Sequence, residues 1–365
     1  MRHDHAPFGL LVLCAATGPL LNGCPPDHTA TDVNFNVGGT PTPLVTAGEP
    51  VLLSEFIFNG IPGRAGNHAP TVAALPDGEL LAAWYSYVGP GELDGADVCL
   101  SRKPAGAVHW TTPTLLIDRP EAVGNPVLYA EGEQLWLFHA VVPGTGWSSA
   151  HVEVQRSDDG GQTWSSPRTL PGPLGTNVRF PPARLSNGTL LLPAYSDLLP
   201  RSLFFATTDD DYWTLRSELA TRPPHANLQP SLAVLNDGRL LAVMRNGGGG
   251  WLWASLSTNG GRSWATPADS GFPNPNSPAA LLRLASGNLI LIFNDSATLR
   301  RPLSAAVSAD GGVTWHPPRV LVDGDDGEHA YPSAVQAPDG WIHVVYSHDR
   351  QRIGHVTFNG AWLAD

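Results

Sequence analysis

The stretch SDDGGQTW at residues 157–164 decides how this chain folds. It returns as STNGGRSW at residues 257–264 and as SADGGVTW at residues 308–315, and weaker copies begin at Ser101 and Thr207. An acidic or amide side chain followed by two glycines is typical of a tight turn, because the side chain bonds its own backbone and glycine readily adopts positive φ. Turns that recur at intervals of about 50 residues indicate a repeat architecture.

A second series of turns has the same period, and an apolar segment typical of a strand follows each one. The glycines of this series are Gly78, Gly132, Gly188, Gly238, Gly287 and Gly340. Two hairpins in each of six units give four strands per unit. The sequence therefore predicts an all-β fold, a six-bladed β-propeller of four-stranded blades. A further strand, predicted at residues 51–58, should pair beside the C-terminal strand and close the ring.

The N-terminal part of the chain resembles an export signal. The apolar run at residues 8–21 is too short to span a membrane as a helix, and it leads to LNGC ending at Cys24, which is similar to a bacterial lipobox. We predict a signal peptide of the lipoprotein type at residues 1–24, a tether at 25–47 and the propeller at 48–365. The protein is expected to be exported and either anchored through lipid on Cys24, in the periplasm or at the cell surface, or secreted.

Composition excludes several classes of function. The formal net charge of −12 argues against nucleic-acid binding. The sequence has no HExxH motif, no cysteine pair and no glycine-rich phosphate loop, and its histidines are scattered, so we expect neither a cofactor nor a metal. With Cys14 in the signal and Cys24 carrying lipid, Cys99 has no partner for an internal disulfide.

Propeller geometry predicts which polar residues meet. In each blade the innermost strand starts on one face of the ring, and the second strand returns to that face. Both series of turns lie on the opposite face. Counting back from the hairpin glycines gives the strand starts His68, Asn125, Arg179, Gln229, Asn276 and Tyr331. The ends of the second strands are Ser86, His139, Asp197, Arg245, Asn294 with Asp295, and Ser347 with His348. Polar residues at every one of these places predict a polar pocket on the axis.

The repeats Ser-x-Asp-x-Gly-x-Thr-Trp resemble the Asp-box of the sialidase superfamily. The runs NHAPT at residues 67–71, QPSL at 229–232 and YPS at 331–333 are similar to bacterial sialidase-like proteins with BNR repeats. The resemblance covers roughly residues 60–356. It implies a propeller with Asp-box turns that acts on a glycan.

The resemblance also implies roles for individual residues. Arg245, together with Arg301 or its neighbour Arg300, matches the arginines that bind the substrate carboxylate. Tyr331 matches the nucleophilic tyrosine. The acid/base aspartate of the family falls in the loop that holds Glu92 and Asp94.

Three positions depart from the family pattern. His68 stands where the first arginine is found, Gln229 where a glutamate accepts the tyrosine proton, and Ser347 where an acid orients the first arginine. An amide cannot serve as a base near neutral pH, and general base assistance is typically worth about 10²–10⁴-fold in rate. Another group, such as His68 or His225, would have to replace it.

The leading hypothesis is an exo-glycosidase that removes sialic acid or a related acidic sugar from a glycan and acts as a monomer. Arg245, Arg301, His68 and Gln229 would bind the sugar, Tyr331 would attack it, and Asp94 or Glu92 would protonate the leaving oxygen. One alternative is a lyase or unusual glycosidase on uronic-acid polysaccharides, with His68 and Tyr331 as base and acid. The other is a non-catalytic glycan-binding propeller, which the changes at Gln229 and His68 suggest.

Overall fold

The computed structural model describes residues 37, 39–44, 48–222, 225–324 and 326–364. The first strand, β1 (Leu52–Phe56), precedes the six blades. Blade 1 contains β2 (Gly66–Ala74), β3 (Leu80–Tyr87), β4 (Asp97–Lys103) and β5 (Thr114–Ile117). Blade 2 contains β6 (Ala122–Glu131), β7 (Gln134–Val142), β8 (His151–Ser157) and β9 (Arg168–Thr169). Blade 3 contains β10 (Thr176–Val178), β11 (Ala183–Arg184), β12 (Leu190–Ser196), β13 (Arg201–Thr207) and β14 (Thr214–Leu219).

The second half of the ring repeats this plan. Blade 4 contains β15 (Asn227–Val234), β16 (Leu240–Asn246), β17 (Gly250–Ser257) and β18 (Ala268–Asn274). Blade 5 contains β19 (Ala280–Arg283), β20 (Leu289–Asn294), β21 (Leu303–Ser308) and β22 (Arg319–Val322). Blade 6 contains β23 (His329–Gln336), β24 (Ile342–His348) and β25 (Arg352–Phe358), and a short helix, α1 (Gly360–Ala364), follows. The predicted six-bladed β-propeller is confirmed.

The ring closes through β1, as the sequence predicted. β1 pairs antiparallel with β25, so blade 6 has the order β1-β25-β24-β23 and takes its fourth strand from the start of the propeller. Glu55 on β1 accepts hydrogen bonds from His355 of blade 6 at 2.9 Å and from Lys103 of blade 1 at 2.6 Å. The same carboxylate therefore links the first and last blades.

Each of the three full Asp-box motifs is a turn between the two outer strands of a blade. In blade 5, Asp310 Oδ1 accepts hydrogen bonds from the backbone N–H of Thr314 at 2.9 Å and from Ser308 Oγ at 2.8 Å. The tryptophan that ends the motif, Trp315, is buried and packs edge-on against Phe272 of blade 4. The motif thus fixes the turn and fastens each blade to its neighbour.

Replacing Asp310 with alanine is expected to lower the free energy of unfolding by about 1–2 kcal/mol, because it leaves partly buried donors without an acceptor. The variant Asp310→Asn should lose less, since Asn259 occupies the same place in blade 4 and bonds both the backbone and the hydroxyl of Ser263. Urea unfolding of the two variants measures the difference. Equal losses would show that the acceptor at this position does not fix the turn.

The hydrophobic core lies between neighbouring blades rather than at one centre. One cluster joins Trp136 and Phe138 of blade 2 to Leu192 and Phe205 of blade 3, and similar clusters fill the other joints. Cys99 is buried as a free thiol within blade 1. In the part of the chain that the structure describes, no helix has the length and apolarity needed to cross a membrane. The predicted signal peptide and lipidated Cys24 lie outside the described residues.

Candidate active site

The inner strands of four blades lose their register at an X-Pro dipeptide close to the axis. The X residues all have left-handed φ between 47° and 57°: Ala69, Asn125, Gln229 and Tyr331. A bulge redirects the side chain that it contains, and proline has no N–H that the broken ladder would leave unpaired. A left-handed non-glycine residue costs about 1–3 kcal/mol and typically marks a functional site.

Three of these bulge residues, Asn125, Gln229 and Tyr331, line one end of the axis, where a polar cavity of about 240 Å³ opens. We call it the axial cavity. Its lining residues are Tyr85, Glu92, Asn125, Trp147, Tyr195, Asp197, Leu228, Gln229, Arg245, Arg300, Tyr331 and Arg350. Both predicted sets of positions, the starts of first strands and the ends of second strands, contribute to it.

A larger cavity of about 420 Å³ runs between the inner strands and is lined mainly by aliphatic residues such as Val72, Leu128 and Leu232. Its charged lining residues, Arg184 and Arg283, are engaged with Glu131 and Asn236. Chemistry needs convergent polar groups, so we place the candidate site in the axial cavity.

Tyr331 and Arg245 form the centre of the axial cavity. Arg245 Nη1 donates hydrogen bonds to Tyr331 Oη at 3.0 Å and to Gln229 Oε1 at 3.0 Å, and its Nε donates to Asn276 Oδ1 at 2.6 Å. Burial alone would raise the pKa of Tyr331, but the charges of Arg245 and Arg300 and the hydrogen bond from Arg245 bring it below its ordinary value. The arrangement therefore favours the phenolate.

Arg245 differs from the other arginines of the cavity in its partners. Among the described residues it pairs with no carboxylate, because its side-chain hydrogen bonds go to the amides of Gln229 and Asn276 and to the hydroxyl of Tyr331. A partly buried guanidinium of this kind is suited to bidentate capture of a carboxylate.

Two further arginines share one acid. Glu328 accepts hydrogen bonds from Arg300 Nη1 at 3.2 Å and from Arg350 Nε at 3.0 Å. The guanidinium of Arg300 also lies 5.5 Å from the centre of the Tyr331 ring. Sequence reasoning preferred Arg301 to Arg300, but only Arg300 lines the axial cavity; Arg301 Nη1 is 3.9 Å from Asp326 Oδ1.

Sequence reasoning missed Arg350. It lies in the turn between β24 and β25, where both Asp349 and Arg350 have positive φ, 54° and 55°. Such turns favour asparagine and glycine, so an arginine there is an unusual choice. An arginine in such a turn, on the cavity side of the last blade, is the sequence signal from which Arg350 could have been predicted.

Arg179 and His68 support Tyr331 from below. Arg179 is buried and donates hydrogen bonds to the main-chain carbonyls of Tyr331 at 2.6 Å and Pro70 at 3.0 Å, so it joins blades 1, 3 and 6 across the axis. The His68 ring lies 4.2 Å from the Tyr331 ring, between centroids. Burial, reinforced by Arg350, Arg179 and other arginines, holds the pKa of His68 well below its ordinary value, which keeps the imidazole neutral.

The loop after β3 brings one of its two predicted acids to the cavity. Glu92 Oε2 accepts a hydrogen bond from Tyr85 Oη at 3.0 Å, and Oε1 forms an ion pair with Arg350. Asp94 instead turns back on its own loop and accepts the backbone N–H of Gly91 at 2.9 Å. Glu92 lines the axial cavity and Asp94 does not.

Across the residues described by the structure, no cluster of three or more His, Cys, Asp or Glu side chains is arranged to hold a metal ion. The polar groups of the axial cavity are arginines, phenols, amides and carboxyls. These groups can bind an anion, stabilise a phenolate and transfer a proton.

The blades and the arginine-lined cavity define a sialidase-like β-propeller. The chain belongs to the BNR repeat-like domain family, whose profile matches residues 78–344.

Relatives and solved structures agree with this assignment. A sialidase of Micromonospora viridifaciens is 25% identical over 380 residues, which cover 90% of this chain, and the chain spans 56% of the length of that protein. A sialidase of Bacteroides fragilis is 25% identical over 395 residues, covering 92% of this chain and 71% of the relative. A protein of unknown function from Dyadobacter fermentans has a TM-score of 0.74 at 18% identity, covering 84% of this chain and 97% of that one. These similarities are consistent with a sialidase-like BNR-repeat protein.

Proposed function

We propose that this protein is a retaining exo-glycosidase that removes a terminal acidic sugar, sialic acid or a related one, from glycans. The observation that carries the proposal is the contact between Arg245 and Tyr331. One guanidinium, with no carboxylate partner among the described residues, holds the hydroxyl of a tyrosine at the centre of a polar cavity. An anionic sugar would supply the missing negative charge and present its anomeric carbon to the phenolate.

Three arginines support recognition of a carboxylate. Arg245 offers a guanidinium that pairs with no carboxylate among the described residues, and Arg300 and Arg350, which Glu328 holds in place, line the same cavity. The last blade thus brings a third guanidinium, Arg350, to the cavity, whereas the neutral His68 of the first blade packs beneath it. The relatives named sialidases support an acidic sugar as the substrate.

Tyr331 is the proposed nucleophile, as in the glycosidases that use tyrosine instead of a carboxylate. Gln229 lies beside it where a base would be expected and has no carboxylate to accept its proton. The surrounding arginines take over part of that task, because they lower the pKa of Tyr331 and so increase the fraction of phenolate. The phenol therefore gives its proton to water before the attack, rather than to a neighbouring carboxylate during it.

The second candidate is a non-catalytic glycan-binding propeller, and the amide at Gln229 favours it. Such a protein would retain acidic glycans without releasing a product. The uronic-acid lyase hypothesis draws no support from the geometry, because both ring nitrogens of His68 are buried and do not line the axial cavity.

A panel of 4-methylumbelliferyl glycosides tests the proposal. The full-length protein should release the fluorophore from the α-sialoside or from a glucuronide, and it should not release it from a β-galactoside, the neutral control. Binding of acidic sugars without release would favour the non-catalytic candidate instead.

The adjacent arginines provide a matched pair of variants. Replacing Arg300 with methionine is expected to lower kcat/KM by about 30-fold, because it removes a charge-assisted contact to the substrate anion. The same replacement at Arg301, which contacts Asp326 and not the cavity, should change kcat/KM by less than about threefold. Steady-state kinetics on the acidic glycoside from the panel measures both. A larger loss of kcat/KM in the Arg301 variant than in the Arg300 variant would show that Arg301, and not Arg300, contacts the substrate.

A further inference from the structure

A carboxyl group without an assigned task faces the axial cavity from blade 3. Asp197 follows β12 directly and lines the cavity. In a six-bladed ring, the third blade lies across the axis from the sixth, which carries Tyr331. A sugar bound in the cavity would therefore lie between Tyr331 and Asp197.

Asp197 is held firmly in this position. The buried amide of Asn177 donates a hydrogen bond to Asp197 Oδ2 at 2.9 Å, and the backbone N–H of Asp197 donates to the carbonyl of Gly175 at 2.9 Å. The next two residues, Leu198 and Leu199, are exposed. Asp197 thus lies near the mouth of the cavity, through which the remainder of a bound glycan would extend.

The surroundings of Asp197 differ from those of the other acids at the site. Glu92 forms an ion pair with Arg350, and Glu328, which bonds both Arg300 and Arg350, does not line the axial cavity. Among the described residues, Asp197 has no ion pair with arginine or lysine.

The protonation of Asp197 follows from its neighbours. Burial raises its pKa to about 6, against the opposing charge of Arg245 on β16. Tyr195 on its own strand is neutral, since burial raises the pKa of that phenol well above its ordinary value. The other titratable or charged groups that line the cavity are Tyr85, Glu92, Arg300, Tyr331 and Arg350. A carboxyl with a pKa near neutrality is suited to general acid catalysis.

We propose that Asp197 donates the proton to the leaving group, an inference that rests on the proposed glycosidase function. As the phenolate oxygen of Tyr331 bonds to the anomeric carbon, the glycosidic C–O bond breaks and the Asp197 proton passes to the glycosidic oxygen, so the leaving group departs as an alcohol. Water then attacks the anomeric carbon and gives a proton to the Asp197 carboxylate. The bond to Tyr331 breaks in this step, and the tyrosine leaves as a phenolate.

Leaving groups of different acidity test this role. The alcohol of 3′-sialyllactose must be protonated to leave, whereas 4-methylumbelliferone is an acidic phenol that leaves without help. The variant Asp197→Asn should lower kcat/KM on sialyllactose by about 10²-fold more than on 4-methylumbelliferyl α-sialoside. If the protein cleaves the glucuronide and not the α-sialoside, the same comparison is made with the methylumbelliferyl glucuronide and a disaccharide of that sugar.

Asp295 provides the matched control. It follows the second strand of blade 5, as Asp197 follows that of blade 3, but it is exposed and does not line the axial cavity. Asp295→Asn should leave both rates unchanged, and Asp197→Glu, which keeps an acid, should recover part of the rate on sialyllactose. Equal losses on both substrates in Asp197→Asn, or no loss, would overturn the role of Asp197 and leave the glycosidase function intact. A wild-type protein inactive on every acidic glycoside would refute the function, and the role of Asp197 with it.

Discussion

Replacing Tyr331 with phenylalanine is expected to lower kcat on the acidic glycoside by roughly 10³-fold or more, because the variant lacks the oxygen that forms the bond to the sugar. The fold should survive. Arg179 bonds the main-chain carbonyl of residue 331, and the ring contact with His68 needs no hydroxyl. Fluorophore release from the methylumbelliferyl substrate measures the loss.

Affinity for the sugar separates this role from a structural one. The Kd of the Tyr331→Phe variant for the free acidic sugar should stay close to the wild-type value, since the arginines that bind the carboxylate remain. Calorimetric titration provides this value, and thermal unfolding checks the fold. Turnover at the wild-type rate would exclude Tyr331 as the nucleophile.

Replacing Arg245 with methionine should lower kcat/KM by roughly 10³-fold, within the range for truncating one partner of a buried, charge-assisted contact. Two effects combine. The substrate carboxylate loses its strongest anchor, and Tyr331 loses both a hydrogen bond and a positive charge that lower its pKa. We therefore expect KM to rise and kcat to fall together.

Two further variants of blade 4, one conservative and one remote from the cavity, test this prediction more closely. Arg245→Lys keeps the charge but not the forked geometry, so it should recover only part of the activity. Arg239→Met removes a surface arginine paired with Asp237 on the other side of blade 4 and should change nothing beyond about twofold. If Arg245→Met binds and cleaves the acidic glycoside normally, the cavity does not recognise the carboxylate through Arg245.

The fold could be predicted from the sequence because its determinants are local and repeated. Each Asp-box contains the acceptor, the donors and the glycines of its own turn, so neighbouring residues determine its shape, as at Asp310 and Thr314. Ring closure by β1 could also be predicted, since an unpaired strand edge in the last blade needs a partner. Blade 3 is the irregular unit: its inner strand is split into β10 and β11, and Pro181 and Pro182, which cannot donate to a ladder, lie between the two parts.

The site could be predicted only where it follows the repeat. Gln229, Tyr331 and Arg245 occupy positions that recur in every blade, and they do meet in the axial cavity. In blade 1 the predicted position, His68, is one residue too early, because the bulge falls at Ala69. The histidine packs beneath the cavity instead.

Residues outside the repeat escaped this reasoning. Arg300 and Arg301 are neighbours in the loop between the second and third strands of blade 5, and this loop differs in length from blade to blade, so spacing cannot decide between them. The same is true of Glu92 and Asp94, where a single hydrogen bond to Gly91 turns Asp94 away from the cavity. Arg350 depends on the length and handedness of one hairpin, a property that only the three-dimensional structure makes plain.

Trapping of the glycosyl–enzyme tests the central claim most directly. The full-length protein would be incubated with a fluorinated analogue of the acidic sugar that it accepts, which slows release of the intermediate, and then analysed by peptide mass spectrometry. We expect one glycosyl unit on the peptide that contains Tyr331 and none in the Tyr331→Phe variant. An adduct on another residue, or turnover of the parent substrate with no adduct on Tyr331, would contradict the account.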